Sequence, residues 1–367
     1  MCIASHPRIL LSNFSLVLKT LRWGILLDGT INRQFVQGLK SCSRSLLVGI
    51  ACQDMNTAEL HAKEWDIEKV YSSYVELFSD DRIDAVYIAI ANSLHSRYTM
   101  KAAQLGKHCL VENPLATKVC EIIEIERLAK EKNVIIAEGY PYLYHPQFQA
   151  IKQEISSGCI GDVSHMHGIF DYQANNNNAT ESDVLADCGA LWNVGCYPIS
   201  LMIALMSQCP QTVSAIQQTG SRSEDTSTVG WMKYDTVMGS ISTSLNSPTK
   251  THFEIAGTNG RIHLHNDWCY HPDHCNQTNS FELIMKGEPS KKVTVLNQDL
   301  YRGEILSFEA TVLDKKPSLV TLQLSKKIAA VLEAMYESAR LDGVPVVPQL
   351  RVNSERSNGV PVVPQLE

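Results

Sequence analysis

The sequence has no CxxC pair, no regular cysteine spacing and no long apolar run. Its 11 cysteines are scattered through 367 residues. That pattern excludes the disulfide framework of small secreted domains and favours thiols in a reducing compartment. No run of about eighteen uninterrupted apolar residues occurs, so the sequence predicts no membrane span. We therefore expect a cytoplasmic protein.

The chain also has fewer basic than acidic residues. The chain has 32 Lys and Arg against 39 Asp and Glu, which gives a formal net charge of -7. Non-specific binding to nucleic acids relies on Lys and Arg. The composition therefore argues against a nucleic-acid partner and favours a small-molecule ligand.

The amino-terminal segment has little that resembles a targeting signal. Ser12, Asn13 and Ser15 interrupt its apolar residues, and no small-residue cleavage site follows before the first strand, which argues against a signal peptide. We expect residues 1–20 to be a poorly ordered leader. The remaining chain is too long for one core of usual size, so two domains are predicted.

The first strand candidate, Leu21 to Leu27, begins a strand–turn–helix unit. It runs into Asp28, Gly29 and Thr30 and then into a helical pattern that begins at Ile31. Strand, glycine turn and helix are typical of a dinucleotide-binding unit, in which helix N-terminal amides meet a pyrophosphate. Gly24 and Gly29 are present, but Leu27 stands where a second turn glycine would allow the closest approach of backbone to phosphate.

Strands and helices then alternate as far as residue 141. The further strand candidates are Leu46 to Cys52, Ala85 to Ile90, the apolar run within Gly106 to Ala116, and Val134 to Ala137. This order predicts a parallel sheet with right-handed crossovers, which binds ligands at the carboxyl ends of its strands. Gln53 is neither the acid that suits NAD nor the arginine that suits NADP, so the cofactor preference stays open. Asp54 is a candidate helix cap.

After Pro146 the pattern changes to strands without long helices between them. The strand candidates are Val163 to Tyr172, Ser214 to Gln217, Gly230 to Lys233, Thr236 to Thr243, Thr251 to Ala256 and Arg261 to His265. They predict a mainly antiparallel sheet. The helix candidates are Leu191 to Met206, Arg302 to Leu313 and Leu322 to Leu341. The α/β chain therefore divides into a Rossmann domain at 21–141 and an α+β domain at 142–345.

Residues 346–367 form a tail in which GVPVVPQL, first found at Gly343 to Leu350, occurs again at Gly359 to Leu366. Two proline-broken copies are typical of an appended edge strand or a mobile tail.

Two further groups of residues invite a chemical interpretation. Spacings among His263, His265, Cys269, His271, His274 and Cys275 match no standard zinc pattern, so no metal site is predicted. Tyr140, Tyr142 and Tyr144 alternate, so in an extended segment Tyr142 would face opposite to the other two. Buried thiols are expected at Cys188 and Cys196, because no adjacent base marks either as a nucleophile.

Five ordered motifs carry a resemblance to a known family. They are LRWGIL, SSYVELFSDDRIDAVYIAIANSLH, GKHCLVENPLA, EGYPYLYHPQ and CGALWNVGCYPI. With them the chain, from about Leu21 to Pro345, resembles the Gfo/Idh/MocA family of nicotinamide-dependent oxidoreductases, especially its sugar and dihydrodiol dehydrogenases. The resemblance implies NAD or NADP as cofactor and hydride transfer at a secondary alcohol or ketone. It also implies a homodimer or higher homo-oligomer through the open sheet of the second domain.

The chain departs from the family at the positions that carry chemistry. The family places a lysine where this sequence has Asn113, and an aspartate where it has Asn193. Four residues after that aspartate the family has a histidine or tyrosine, which here is Tyr197. Tyr197 can exchange a proton with a substrate, whereas the two asparagines can only orient it. The lysine would also have lowered the pKa of a neighbouring phenol.

Further departures are Leu27, Ile90 and Ala91 in place of Thr-Pro, and Leu143 in place of arginine. From motif and resemblance together, the predicted catalytic residues are Tyr197, Asn113 and Asn193. The predicted cofactor contacts are Gly24, Asp28, Gly29, Thr30, Ile31, Gln53, Ile90, Asn92, His95 and Glu112. The predicted substrate contacts are Asn113, Tyr140, Tyr142, Trp192, Asn193 and Tyr197.

The leading hypothesis is therefore an NAD(P)-dependent oxidoreductase that acts on a small polyol, sugar derivative or cyclic diol or ketone. One alternative is a non-catalytic descendant that binds a dinucleotide or sugar and acts through protein contacts. A second alternative is a non-redox enzyme, a lyase or cyclase, built in the same cleft.

Overall fold

A computed structural model of the chain describes residues 19–27, 31–173, 188–221, 223–265, 280–296 and 298–351. For Ile31 and Asn32 only the backbone is described. Several sequence predictions concern residues outside these ranges: most of the leader, the turn residues Asp28, Gly29 and Thr30, the cluster members Cys269, His271, His274 and Cys275, and the second copy of GVPVVPQL.

The first domain contains a six-stranded sheet that is parallel throughout, in the order β3-β2-β1-β4-β5-β6. Its strands are β1 (Leu21–Leu27), β2 (Ser45–Cys52), β3 (Lys69–Tyr71), β4 (Ala85–Ala89), β5 (His108–Glu112) and β6 (Ile136–Gly139). Its helices are α1 (Ile31–Lys40), α2 (Met55–Trp65), α3 (Tyr74–Ser79), α4 (Asn92–Gln104) and α5 (Val119–Lys132).

This strand order reverses between β1 and β4, which are neighbours in the sheet. Open parallel sheets bind ligands at such a switch point, outside the carboxyl ends of the strands. The central strands are buried on both faces because helices cover both sides. Asp54 caps α2, since its carboxylate accepts from the amides of Asn56 and Thr57 at 3.3 and 3.1 Å. The predicted Rossmann architecture and the cap are confirmed.

The second domain contains an eight-stranded sheet in the order β14-β13-β12-β11-β7-β10-β9-β8. Its strands are β7 (Val163–Asp171), β8 (Thr212–Thr219), β9 (Asp225–Lys233), β10 (Met238–Ser244), β11 (Lys250–Gly257), β12 (Gly260–His265), β13 (Ser280–Met285) and β14 (Lys291–Thr294). The pair β7 and β10 is parallel and the other pairs are antiparallel. The predicted mainly antiparallel sheet is confirmed.

Helices cover one face of this sheet. A 3₁₀ turn (Pro141–Tyr144) and α6 (Pro146–Ser156) lead into it, α7 (Cys196–Met206) and α9 (Leu322–Arg340) pack on it, and α8 (Leu300–Asp314) lies between α7 and α9 in sequence. The other face exposes apolar side chains. Ile216, Val229 and Trp231 are 57%, 45% and 46% exposed.

Helix α8 lies within the predicted second domain, residues 142–345, and packs on the first domain. Phe308 lies 5.2 Å from Trp23 of β1 between ring centroids, and Asp314 forms an ion pair with Arg44 at 2.8 Å. An amphipathic pattern shows that a helix has a buried face, but it does not show which sheet covers that face.

The first copy of GVPVVPQL reaches the edge of the second sheet. Val346 and Val213 of β8 exchange two backbone hydrogen bonds of 2.8 Å in an antiparallel bridge. Val346 therefore adds one pair to the edge strand, as the appended-strand interpretation predicted.

The segment Cys188–Met206 is long and apolar enough to cross a bilayer, with a mean hydropathy of 1.5 in its most apolar window. However, 72% of that window is buried inside the protein. A helix that is apolar all round is typical of a protein core as well as of a membrane span. The segment is not α-helical throughout, because Leu191–Gly195 forms a π-helical turn.

Candidate functional site

Two domains meet at the carboxyl edge of the first sheet. The first domain supplies Asn92, the first residue of α4, and Asn113, which follows β5. The second domain supplies Asn193 from the π-helical turn, and Cys196 and Tyr197 from the start of α7. The π-helical turn positions these last three residues, and single π turns within helices are frequent at functional sites.

Asn193 is held from both sides of its amide. Its Oδ1 accepts a hydrogen bond from Nδ2 of Asn92 at 2.9 Å. Its Nδ2 donates to the carbonyl of Gly189 at 2.8 Å. The side chain is half-buried, so it faces the space between the domains while it bridges them.

Asn113 is held in the same way. Its Nδ2 donates to the carbonyl of Gly139 at 2.8 Å, and its Oδ1 accepts from the thiol of Cys196 at 3.2 Å. Cys196 is thus a site residue that the sequence analysis treated only as a buried thiol. Its position three residues after Asn193 and next to Tyr197 was the signal that could have identified it, because helical residues three apart are neighbours.

Tyr197 is half-buried and packs against three aromatic rings. Its ring centroid is 5.0 Å from that of Phe170, 6.1 Å from that of Tyr142 and 6.4 Å from that of Tyr140. The Tyr142 hydroxyl donates to the Tyr197 carbonyl at 3.2 Å. These contacts fix the position of the Tyr197 ring, which limits where its phenol can meet a ligand.

Asp225 is hydrogen-bonded to the start of the π-helical turn. Its carboxylate accepts from the amide of Leu191 at 2.8 Å, from the hydroxyl of Thr228 at 2.9 Å and from the hydroxyl of Tyr336. Gly189 has a φ of +77°, and a Cβ there would lie 2.0 Å from Asp225 Oδ1. Burial raises the pKa of the Asp225 carboxyl and of the Tyr336 phenol. The three donors offset the cost of placing this carboxylate inside the protein.

Glu112, a predicted cofactor contact, lies inside the protein. Its side chain is only 5% exposed and accepts a hydrogen bond from the buried Tyr87 hydroxyl. Burial raises the pKa of Glu112 to about 7. Burial and the nearby Glu112 together raise the pKa of Glu304, a residue of α8 that is 1% exposed. Strand alternation turns Glu112 toward α8, while Asn113 turns toward the second domain.

Three other predicted cofactor contacts have structural roles. His95 is 1% exposed, with Nδ1 2.8 Å from the Pro114 carbonyl and Nε2 2.9 Å from the Ile90 carbonyl. The Ile90 side chain is 6% exposed and belongs to the core. Gly24 lies within β1, where a Cβ would be 2.6 Å from Leu77 of α3. Gly24 therefore permits close helix packing, away from the carboxyl end of its strand.

Three predicted substrate contacts are buried as well. Tyr140 and Tyr142 are 0% and 3% exposed, and their hydroxyls contact Glu138 at 3.3 Å and Ser200 at 2.7 Å. They do not alternate, because the segment from Pro141 is a 3₁₀ turn. Trp192 is 6% exposed and stacks on Tyr336 at 6.2 Å. These three side chains are buried and pack beneath the residues of the site.

The edge of the first sheet fits a dinucleotide. α1 begins at Ile31 and α4 at Asn92, so two helices start where β1 and β4 end. Gln53 is exposed directly after β2. Leu27 is 1% exposed within the cluster formed by β1, α1 and α8. Its side chain thus belongs to the core, which accounts for an apolar residue at this turn position.

Comparisons with known proteins agree with this architecture. Residues 21–140 match the family model for an oxidoreductase family with an NAD-binding Rossmann fold, and residues 148–263 match that of the GFO/IDH/MocA C-terminal domain. The chain is 27% identical over 330 residues to trans-1,2-dihydrobenzene-1,2-diol dehydrogenase from Mus musculus, covering 85% of this chain and 95% of that protein.

It is also 25% identical over 321 residues to D-xylose 1-dehydrogenase (NADP(+)) 2 from Haloferax volcanii, covering 86% and 97% of the two chains. A 3-ketoreductase from Actinomadura kijaniata, solved in complex with NADP, superposes with a TM-score of 0.78 at 19% identity, covering 87% and 98%. Both domains and their order are those of one family. The chain belongs to the GFO/IDH/MocA family of oxidoreductases.

Proposed function

We propose that this protein is an NAD(P)-dependent dehydrogenase or reductase that acts at a secondary alcohol or ketone of a small sugar-like or cyclic substrate. The observation that supports it is the pairing of Asn92 with Asn193 and of Asn113 with Cys196, the residue before Tyr197, at the carboxyl edge of the first sheet. Such sheets bind their ligands at this edge.

Gln53, the start of α1 at Ile31 and Asn92 would hold the dinucleotide. Bound nicotinamide supplies or accepts the hydride. The Tyr197 phenol gives a proton to the substrate oxygen during reduction, and its phenolate accepts the hydroxyl proton during oxidation. Asn113 and Asn193 orient the substrate through their amides. The packed rings of Phe170 and Tyr142 hold the Tyr197 ring in place.

Asn113, which stands where the family has a lysine, lowers the rate that we expect. General acid–base help contributes typically about 10²–10⁴ in rate, and a neutral amide at Asn113 cannot favour the phenolate as a cation does. We therefore expect turnover that is slow at neutral pH and rises toward alkaline pH in the oxidative direction.

The test is a turnover assay with NAD and NADP separately, in both directions, on polyols, aldoses, cyclic diols and the matching ketones. Tyr197→Phe should lower kcat by about 10²–10⁴ with little change in KM. Tyr98→Phe, which removes a hydroxyl from α4, is the matched control and should keep wild-type turnover. Unchanged turnover in Tyr197→Phe would remove this residue from the mechanism.

A second candidate function is a non-catalytic dinucleotide- or sugar-binding protein. The observation that favours it is that both amide ends of Asn113 and of Asn193 already bond to the chain itself. This function predicts cofactor binding by calorimetry without conversion of any substrate in the panel. Failure of both NAD and NADP to bind at millimolar concentration contradicts the dehydrogenase and the dinucleotide-binding form of the second candidate, and leaves the sugar-binding form.

We further propose a cytoplasmic homodimer, or higher homo-oligomer, that forms through the second sheet. The support is the exposed apolar row of Ile216, Val229 and Trp231 on its outer face. Trp231→Glu should shift the protein to monomer in analytical ultracentrifugation, whereas Leu60→Glu, on exposed α2, should not. An unchanged mass for Trp231→Glu would contradict this interface.

A further inference from the structure

A row of mostly polar side chains crosses the outer face of the second sheet through the register of its strands. From β8 to β14 the row is Ser214, Trp231, Ser240, His167, Glu254, His263, Glu282 and Lys292. His265 follows two residues after His263 on β12, and His252 pairs with it from β11. Because side chains two apart share a face of a strand, imidazoles and carboxylates gather on the β11–β13 part of the sheet.

Three of these side chains already stand at nearly the spacing of metal ligands. His265 Nε2 lies 3.4 Å from Glu282 Oε2, and His263 Nδ1 lies 4.0 Å from the same oxygen. One ligand atom from each of the three residues lies within 4.8 Å of the others. Two ligands at about 2.1 Å from a tetrahedral zinc ion are about 3.4 Å apart. Small rotations of these side chains would therefore close the set around an ion.

Glu254 supplies the outer partner that a ligating histidine needs. Its Oε2 lies 2.8 Å from Nε2 of His263, the ring nitrogen that faces away from Glu282. Its Oε1 accepts from the Arg261 guanidinium at 2.7 Å. The contact has ion-pair distance without hydrogen-bond geometry, since His263 Nε2 has no hydrogen-bond partner among the described residues. A small rotation of the ring would let Glu254 act as the carboxylate that orients a ligating histidine.

A third imidazole adjoins the cluster. The His252 ring lies 5.9 Å from that of His263 and 5.7 Å from that of His265.

We propose that His263, His265 and Glu282 form a binding site for a divalent transition-metal ion, with zinc as the expected occupant and Glu254 as the positioning carboxylate. Two imidazoles and one carboxylate are a donor set that zinc accepts. The site lies on the sheet face opposite to α7, so it is separate from the region around Tyr197. Glu282 comes from a different strand, which is why spacings along the sequence did not predict it.

The test is zinc binding by isothermal titration calorimetry, with zinc chloride as the only ligand and the full chain stripped by a chelator. We expect one ion per chain. The double substitution His263→Asn/His265→Asn should weaken binding at least about tenfold, and Glu254→Gln by about 10–100-fold. His165→Asn, an exposed histidine on β7 of the same sheet, is the matched control and should bind as the wild type does.

X-ray absorption of the zinc complex gives a second measurement, which does not depend on affinity. The proposed ligands contain no sulfur, so the spectrum should fit nitrogen and oxygen neighbours alone. No saturable zinc binding, wild-type binding by the double variant, or sulfur in the first coordination sphere would each overturn the proposal. Circular dichroism of the variants checks that the sheet is intact.

Discussion

Asn92 and Asn193 join the two domains through one amide–amide hydrogen bond of 2.9 Å. Asn92 opens α4 of the first domain, and Asn193 lies in the π-helical turn of the second. The family has an aspartate at the second position, which would accept the same hydrogen bond but could not also donate one. The asparagine donates to Gly189 as well. The substitution thus exchanges a charge for a second hydrogen bond.

The first prediction concerns this link. Asn193→Ala leaves the buried Nδ2 of Asn92 and the Gly189 carbonyl without this partner, and a buried polar group in that state costs about 1–3 kcal/mol. We expect the free energy of unfolding, measured in urea, to fall by that amount. Asn56→Ala, on the exposed face of α2, should change it far less. Equal losses in the two variants would show that the link adds nothing.

The second prediction restores the family's cation. Asn113→Lys places a positive charge beside Cys196, the residue before Tyr197, and a cation that reaches the phenol favours the phenolate. We expect kcat for alcohol oxidation near neutral pH to rise roughly tenfold, within the range of acid–base assistance. The alkaline rise of the pH–rate profile should move to lower pH.

Asn113→Met is the matched control, because it lengthens the side chain without adding charge. If it raised kcat as much as the lysine does, the gain would come from breaking the hydrogen bonds of Asn113 and not from electrostatics. A lysine variant with an unmoved pH profile would contradict the prediction in a second way.

The sequence predicted the architecture well because periodicity and turn residues are local signals. β1 occupies Leu21–Leu27 as predicted, and α9 ends at Arg340, one residue before the predicted end. The hydrophobic pattern of α8 also predicted a helix correctly. It did not predict which domain covers that helix, since burial by a distant segment leaves no mark in the local pattern.

The directions of the side chains at the site could not be predicted from the sequence, for a related reason. The motifs place Glu112, His95 and Trp192 beside the cleft along the chain. Their side chains point into the protein, and this direction depends on partners far along the chain: Tyr87 for Glu112, and Tyr336 for Trp192. The zinc site depends in the same way on strand register, which joins β12 to β13.

The third prediction concerns the support of the π-helical turn. Asp225→Ala removes the acceptor for Leu191, Thr228 and Tyr336 at once. Each buried donor left without a partner costs about 1–3 kcal/mol, so we expect a total loss of about 3 kcal/mol or more in urea unfolding. Asp235→Ala, at an exposed position, should be nearly neutral. A small loss for Asp225→Ala would mean that the turn holds its shape without this carboxylate.

The last prediction concerns pH and the buried carboxyl of Glu112. Its pKa is raised to about 7 in the folded protein from an ordinary 4.5, so the folded state holds the proton more tightly than the unfolded state. The contribution to stability is therefore complete below about pH 4.5 and is lost as the pH rises through about 7. The shift corresponds to roughly 3 kcal/mol.

Glu112→Gln keeps the shape of the side chain and an acceptor for Tyr87 but cannot ionise. We expect the variant and the wild type to be similarly stable at about pH 4.5, and the variant to be more stable at about pH 8 by up to roughly 3 kcal/mol. Glu304, whose pKa is raised by burial and by Glu112, loses the second of these effects in the variant, so the difference reports the coupled pair of carboxyls. Urea unfolding across this range measures it, with the exposed Glu59→Gln as control. Parallel curves for wild type and Glu112→Gln would show that Glu112 ionises in the folded protein at no greater cost than in water.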